Sequence, residues 1–291
     1  MNVLVTGFSG FVGQEVKREF EAAGHIVEGV PRQVLMNGGL TLDDMVAKAD
    51  VVINLAGATL FSRWTESYKK TICQSRQLGT QNIVDSINRV TRDKEPEMGV
   101  KLFISASATG IYKEGSFSDE ETTNLGTDFL ADVVRLWENE ANHAWGVRTV
   151  ILRFGVVVGK EGGVIRKLMP FILSRLGIVA GRGNQPFPMI HVEDVVGFML
   201  YALGHKEING IYNMVIPKET NYEGFVKALD VIRNSWFTFF IPENILRLGM
   251  GTSATVLTRT AHVIPARLME SGYILKYSNV NDVIDQVAGS M

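Results

Sequence analysis

A short apolar run, Val3-Leu4-Val5, leads directly into Thr6-Gly7-Phe8-Ser9-Gly10-Phe11-Val12-Gly13, and helical spacing begins at about Phe11. Few folds place three glycines at this spacing between a strand and a helix. Glycines at 7 and 10 let the backbone turn tightly and approach a pyrophosphate, and Gly13 lets the helix pack close to the sheet. The helix N-terminus then offers its N–H groups and the positive end of its dipole to the phosphates. The same pattern elsewhere in a chain would be a glycine-rich turn; here, after a first strand, it predicts a dinucleotide site.

The rest of the chain is consistent with that start. Val3–Val5, Ile26–Val30, Val51–Leu55, Leu102–Ile104 and Val150–Phe154 are nearly continuous apolar runs, as expected of parallel strands covered on both faces. Between them, helical spacing runs over Phe11–Ala23, Glu66–Val90 and Thr127–Ala144. In the last segment Phe129, Val133, Leu136 and Trp137 share a stripe, with Asp132, Arg135 and Glu138 facing away. This alternation predicts an α/β fold, a Rossmann-type doubly wound parallel sheet. After Gly155 the pattern loosens. We expect a first domain over residues 1–160, rejoined by segments near 190–215, and a smaller C-terminal α/β lid over 161–189 and 216–291. Helices are expected at Glu193–Leu203, Tyr222–Arg233, Glu243–Leu248, Pro265–Glu270 and Val280–Val287, and a strand at Ile211–Val215.

Composition narrows the function classes. In 291 residues, 29 Lys and Arg balance 31 Asp and Glu, for a net charge of −2. That balance gives no electrostatic footprint for nucleic acid or an acidic membrane. The one cysteine, Cys73, forms neither an intramolecular disulfide nor a cysteine-based metal site, and five scattered histidines supply no metal-binding pair. No secretory leader and no apolar stretch of bilayer length is visible. The greasiest cluster, Trp236–Pro242, reads as a buried strand. A cytoplasmic protein with a small-molecule substrate is expected, with no nucleic acid, membrane or metal partner.

The second strand ends Glu28-Gly29-Val30-Pro31-Arg32. An NAD site places an acidic residue at this strand end to hold the ribose hydroxyls. Pro31 stands there instead, and the Arg32 guanidinium suits a 2′-phosphate, so NADP(H) is the expected cofactor. Glu28 falls too early in the strand to reach the ribose.

Val52-Ile53-Asn54-Leu55-Ala56-Gly57 resembles the NxAG element of short-chain dehydrogenases/reductases (SDRs). Ile104–Tyr112 looks like the serine-bearing strand of their extended, epimerase-like members. Arg63-Trp64-Thr65, Lys69, Ser75-Arg76 and Gly79-Thr80 are similar to the signature of an atypical SDR family named for nucleoside-diphosphate-sugar epimerases. So are Leu152–Gly159, Ile190–Asp194 and Val263–Tyr273, and the resemblance covers nearly the whole chain. It implies NADP(H) contacts at Gly7, Phe8, Ser9, Gly10, Phe11, Val12 and Gly13, at Arg32, at Leu55, Ala56 and Gly57, at Arg76, at Ser105 on the serine-bearing strand end, and at the backbone near Val156. It also implies a homodimer through the helices at Glu66–Val90 and Thr127–Ala144.

Typical SDR enzymes use Ser with Tyr and Lys spaced YxxxK. Here Phe129 and Val133 occupy the i and i+4 places of the matching segment. Ser107 remains as a catalytic candidate and Tyr112 is a substitute proton donor, with a structural tyrosine as its alternative. His191 reads as a structural histidine before a helix start, with a catalytic base as its alternative, Trp64 as either a cap on the cleft or packing, and Asp119-Glu120-Glu121 as a solvated loop. The family's tryptophan-rich stretch is Gln185-Pro186-Phe187-Pro188-Met189 here, without its tryptophans. The expected function is an NADP(H)-binding epimerase-like oxidoreductase; the rival is a non-catalytic NADP(H)-binding redox-sensing or interaction protein.

Overall fold

Val3, Leu4 and Val5 form the centre of the molecule, each buried to within 1%. Successive residues of a strand face opposite sides, so an unbroken apolar strand requires cover on both. The computed structural model, which describes residues 1–92, 99–160, 162–163, 165–166, 174, 176–233 and 237–288, supplies that cover. The chain runs β1 (Asn2–Thr6), α1 (Phe11–Ala22), β2 (Ile26–Gly29), α2 (Arg32–Asn37), α3 (Leu40–Val46), β3 (Val51–Asn54), α4 (Glu66–Arg92) and β4 (Leu102–Ala108). A 3-10 turn, Thr109–Ile111, then leads to β5 (Phe117–Ser118), α5 (Phe129–Asn142), β6 (Arg148–Phe154), β7 (Val156–Gly159), β8 (Leu176–Ala180) and β9 (Met189–His191). The remaining elements are α6 (Val192–Gly204), β10 (Gly210–Met214), α7 (Tyr222–Arg233), β11 (Phe237–Ile241), α8 (Glu243–Met250), α9 (Thr255–Thr258), β12 (His262–Val263), α10 (Ala266–Glu270) and α11 (Val280–Ala288).

Six parallel strands form the main sheet in the order β10-β6-β4-β3-β1-β2. On one face Val3, Val5, Ile53 and Ile104 pack with Val16 and Phe20 of α1 and Val195, Phe198 and Met199 of α6. On the other, Leu4, Val52 and Phe103 pack with Leu42 of α3 and Ile83, Val84 and Ile87 of α4. The direction of strand addition reverses between β1 and β3, which opens a crevice at their carboxyl ends. The crossover from β2 to β3 consists of two short helices with no intervening strand, which accounts for the short Arg32–Asp50 segment. Among the described residues no helix is long and apolar enough to cross a membrane.

The smaller C-terminal layer gathers β8 and β11, paired in parallel, around a core of Val179, Phe187, Tyr222, Phe225, Val226 and Ile284. Near residues 190–215, β10 joins the main sheet, and β9 pairs with β7 in a separate two-stranded sheet. Two expectations change. Residues 237–241 are a strand but not a buried one: Phe239 and Phe240 are each 53% exposed, because among the described residues β11 has only β8 beside it; Trp236 lies outside the described residues. On α5, Leu136 is exposed and Glu138 buried, the reverse of their expected faces, because Glu138 turns inward to meet Arg153 of β6.

Candidate functional site

The glycine loop is held by the sheet on which it sits. Gly7 has φ 68°, and a Cβ there would stand 2.6 Å from the Leu55 carbonyl oxygen at the end of β3. A Cβ at Gly13 would stand 2.5 Å from the Gly7 oxygen and 2.7 Å from that of Phe8, so Gly13 serves close packing of the loop on its own helix. Gly10, the N-cap of α1, has ordinary φ and brings no side-chain cap. That leaves the first N–H groups of a twelve-residue helix to be satisfied from outside.

Beneath the loop the strand ends are tied by side chains. Thr6 Oγ1 donates to Asn54 Oδ1 at 2.6 Å and accepts from the Leu55 and Ala56 N–H groups. Asn54 Nδ2 donates to Thr80 Oγ1 of α4 at 2.8 Å and to Ser105 Oγ at 3.4 Å. These bonds set the Leu55-Ala56-Gly57 turn against Gly7.

Two cavities meet at this point. The first, of about 510 Å³, lies over Gly7–Gly10, Gly29–Arg32, Leu35, Met36, Leu55–Ala58 and Ser75. Arg32, the first residue of α2, is exposed on its rim, and no ion pair engages it among the described residues. Glu28 is exposed and lies outside the lining. The second cavity, of about 410 Å³, shares Gly7, Gly10, Leu55, Gly57 and Ala58 with the first and continues past Phe11, Val12 and Gly13. Its floor is Ala106–Gly110 and Phe154–Val157 at the ends of β4 and β6, and Pro186–Pro188 with Val256, Leu257 and Arg259 close it from the C-terminal layer.

Ser107 is in that floor and is 2% exposed. Its Oγ donates to Glu138 Oε1 at 2.5 Å. Arg153 grips both carboxylate oxygens of Glu138, Nε to Oε1 at 2.7 Å and a terminal nitrogen to Oε2 at 2.8 Å. Burial opposes the Arg153 charge, but the Glu138 hydrogen bond and charge outweigh it and hold the guanidinium protonated. From α5 the cavity is walled by Leu130, Val133, Val134 and Trp137, none of them Tyr or Lys. Phe129 is outside this wall: its ring meets Trp64 edge-on at 5.3 Å. Asp128 sets this orientation by capping α5, accepting from the Leu130 and Ala131 N–H groups. Arg76 lines the same cavity, donating to the Ala58 and Ile72 carbonyls beneath the turn, with its guanidinium 5.1 Å from the Trp137 ring. Burial lowers its pKa to about 10.

A family model described as the NAD dependent epimerase/dehydratase family matches residues 3–214, the span that contains both cavities' strand ends. The chain belongs to that family. Among its relatives, Epimerase family protein YfhF of Bacillus subtilis (strain 168) is 30% identical over 304 residues, covering 99% of this chain and 98% of its own. The chloroplastic epimerase family protein SDR39U1 homolog of Arabidopsis thaliana is 31% identical over 305 residues, covering 98% of this chain and 86% of its own. Among solved structures, human epimerase family protein SDR39U1 with NADPH has a TM-score of 0.89 at 26% identity, with 100% of both chains covered. The fold is thus the Rossmann-type fold of an atypical SDR.

Within this epimerase-family architecture several expected site residues move. Tyr112 is fully buried and outside both cavities. Its hydroxyl donates to Asn213 Oδ1 at 2.7 Å and accepts from Arg153 at 2.9 Å, and burial pushes its pKa up to about 12. It ties β6 and β10 together. Ser105 is fully buried in the Asn54 network and lines neither cavity, which removes it from direct ligand contact. Val156 lines the second cavity, but its N–H is already donated to the Pro188 carbonyl at 2.7 Å. Trp64 packs against Ile72, Leu130 and Val133, its Nε1 donating to the Leu60 carbonyl. His191 caps α6 through the Glu193 N–H. Glu120 is not solvated: it is 8% exposed and accepts from the Asn213 and Arg267 N–H groups. Glu138 and Arg153 are not legible in the sequence, because an acid on a helix and a base on a strand 15 residues apart look like surface charges until β6 is laid beside α5.

Proposed function

We propose that this chain is an NADP(H)-dependent oxidoreductase acting on a small molecule in the second cavity. The observation that carries the reading is the continuity of the two cavities across Gly7, Gly10, Leu55, Gly57 and Ala58. An elongated dinucleotide would be held along such a path, by Arg32 and the glycine loop at the first cavity and by residues around Ser107 at the second. When bound, the nicotinamide supplies hydride-transfer chemistry. The residues of the chain orient and shield it: the α1 N-terminus takes the pyrophosphate, Arg32 the 2′-phosphate, and Arg76 supplies a buried positive charge beneath the Leu55–Gly57 turn. NADPH in the human relative supports the phosphorylated cofactor, and the unpaired Cys73 supports a reducing, cytoplasmic setting. Exposed Leu78 on α4 and Leu136 on α5 support a homodimer through that helix pair.

A non-catalytic NADP(H)-binding role is favoured by one feature, the apolar wall of α5, where the usual SDR Tyr and Lys have no counterpart. Fluorescence titration tests the cofactor half of the reading. NADPH is expected to bind with a well-defined Kd, and Gly10→Val to abolish binding in a folded protein. A Cβ at Gly10 meets only the Gly7 oxygen, at 3.1 Å, so the branched side chain instead occupies the space a pyrophosphate needs. Unchanged NADPH affinity in that variant removes the glycine loop from the account.

A further inference from the structure

The Ser107 hydroxyl has one proton to give, and it goes to Glu138 Oε1 at 2.5 Å, a group outside the cavity lining. Glu138 is buried and faces the doubly hydrogen-bonded Arg153, so it is a carboxylate, an acceptor that the serine does not readily abandon. No protein group donates to Ser107 Oγ among the described residues. What the serine presents to the cavity is therefore lone pairs. A carbonyl oxygen arriving there meets another acceptor; a hydroxyl finds a partner.

We propose that Ser107 is the proton acceptor of the reaction, that Glu138 behind it receives the proton in the end, and that the substrate docks as an alcohol. The inference rests on the reading of the second cavity as the reaction site. The substrate hydroxyl proton passes to Ser107 Oγ as the serine's own proton passes to Glu138 Oε1, leaving the serine neutral and the carboxylate a carboxylic acid. The substrate C–H bond breaks with its electron pair, which leaves as hydride to the oxidised nicotinamide dinucleotide. The alcohol becomes a carbonyl compound and the dinucleotide is reduced. Glu138 acts only through Ser107. Its place is kept by Arg153, whose remaining terminal nitrogen is anchored on Tyr112 and through it on Asn213. This relay stands where α5 offers the cavity no proton-carrying group but the Trp137 indole.

Binding and turnover separate the parts of the proposal. Cyclohexanol and cyclohexanone are each titrated against the protein with no dinucleotide added, so that neither is turned over, by saturation-transfer NMR. The alcohol is expected to bind roughly fivefold more tightly, the worth of one net hydrogen bond, and Ser107→Ala to erase the difference. Glu138→Gln can keep a carbonyl oxygen toward Ser107 and Arg153 Nε, so it should retain the preference for the alcohol. With NADP+ and cyclohexanol, that variant should lose about a hundredfold or more in kcat with little change in KM. If Glu138→Gln does not fold, the Ser107→Ala binding comparison decides alone. Cyclohexanone binding as tightly as cyclohexanol, binding of neither, or unchanged kcat in folded Glu138→Gln overturns the relay. Failure of the wild-type protein to bind NADPH overturns the cofactor reading instead.

Discussion

Arg32 and Tyr112 show how much a residue's meaning depends on its neighbours. Arg32 stands exposed on the rim of the first cavity, without a carboxylate partner among the described residues. A charge-assisted hydrogen bond to a 2′-phosphate is worth about 1.5–3 kcal/mol. NADPH should therefore bind roughly tenfold to a hundredfold more tightly than NADH, and Arg32→Ala should remove most of that preference; parallel fluorescence titrations with the two dinucleotides read it directly. Tyr112 has the opposite position, fully buried between Arg153 and Asn213. Tyr112→Phe leaves both partners short of a hydrogen bond, and we expect a loss of about 1–3 kcal/mol in urea unfolding with NADPH affinity unchanged. A variant as stable as the wild type but impaired in catalysis would return Tyr112 to the chemistry.

Helix α5 shows what one residue of register does. Phe129 and Val133 hold the YxxxK places in the sequence, yet the Asp128 cap starts the helix so that Phe129 meets Trp64, while Val133 lines the cavity together with Leu130 and Val134, which share the same i, i+4 spacing. Restoring a Tyr and Lys pair at Phe129 and Val133 should give no NADPH-dependent reduction of a generic aldehyde, because the phenol would sit on Trp64. Leu130→Tyr with Val134→Lys puts both groups into the cavity and is expected to give weak activity. It should also lower the melting temperature, since Val134 is 3% exposed and an ammonium there is costly to bury. Activity confined to the Phe129 and Val133 pair would overturn this placement of the α5 side chains.

Several ties across the molecule fasten the C-terminal layer to the sheet, and one of them titrates. His191 accepts the Glu193 N–H on Nδ1, and its Nε2 lies 3.0 Å from Gln286 Oε1 on α11, which assigns the neutral tautomer protonated on Nε2. Burial lowers its pKa below the usual 6.5. Between that lowered value and about 6.5 the unfolded chain holds a proton that the folded one does not, so stability rises with pH there and is lost on acidification. We expect the melting temperature to fall from about pH 7 to about pH 5.5, less steeply in His191→Asn, which keeps a capping oxygen. His25, also lowered by burial, contributes the same sign, whereas Glu120 and Asp194, raised by burial, act oppositely and nearer the carboxylate range. An equal slope in the variant would exclude His191 as a source. The long apolar strands and the glycine loop were legible from sequence because they obey local rules: period, turn geometry and helix start are written within a few adjacent residues. Tyr222–Arg233 follows its predicted bounds for the same reason. What only the tertiary structure decided is which polar groups face a ligand and which face each other. Ser107, Glu138, Arg153, Tyr112 and Asn213 come from four stretches of chain, and their network exists only once β4, β6, β10 and α5 are side by side; burial then turns unremarkable charges into a locked pair, because a desolvated carboxylate must find its partner wherever the fold puts one.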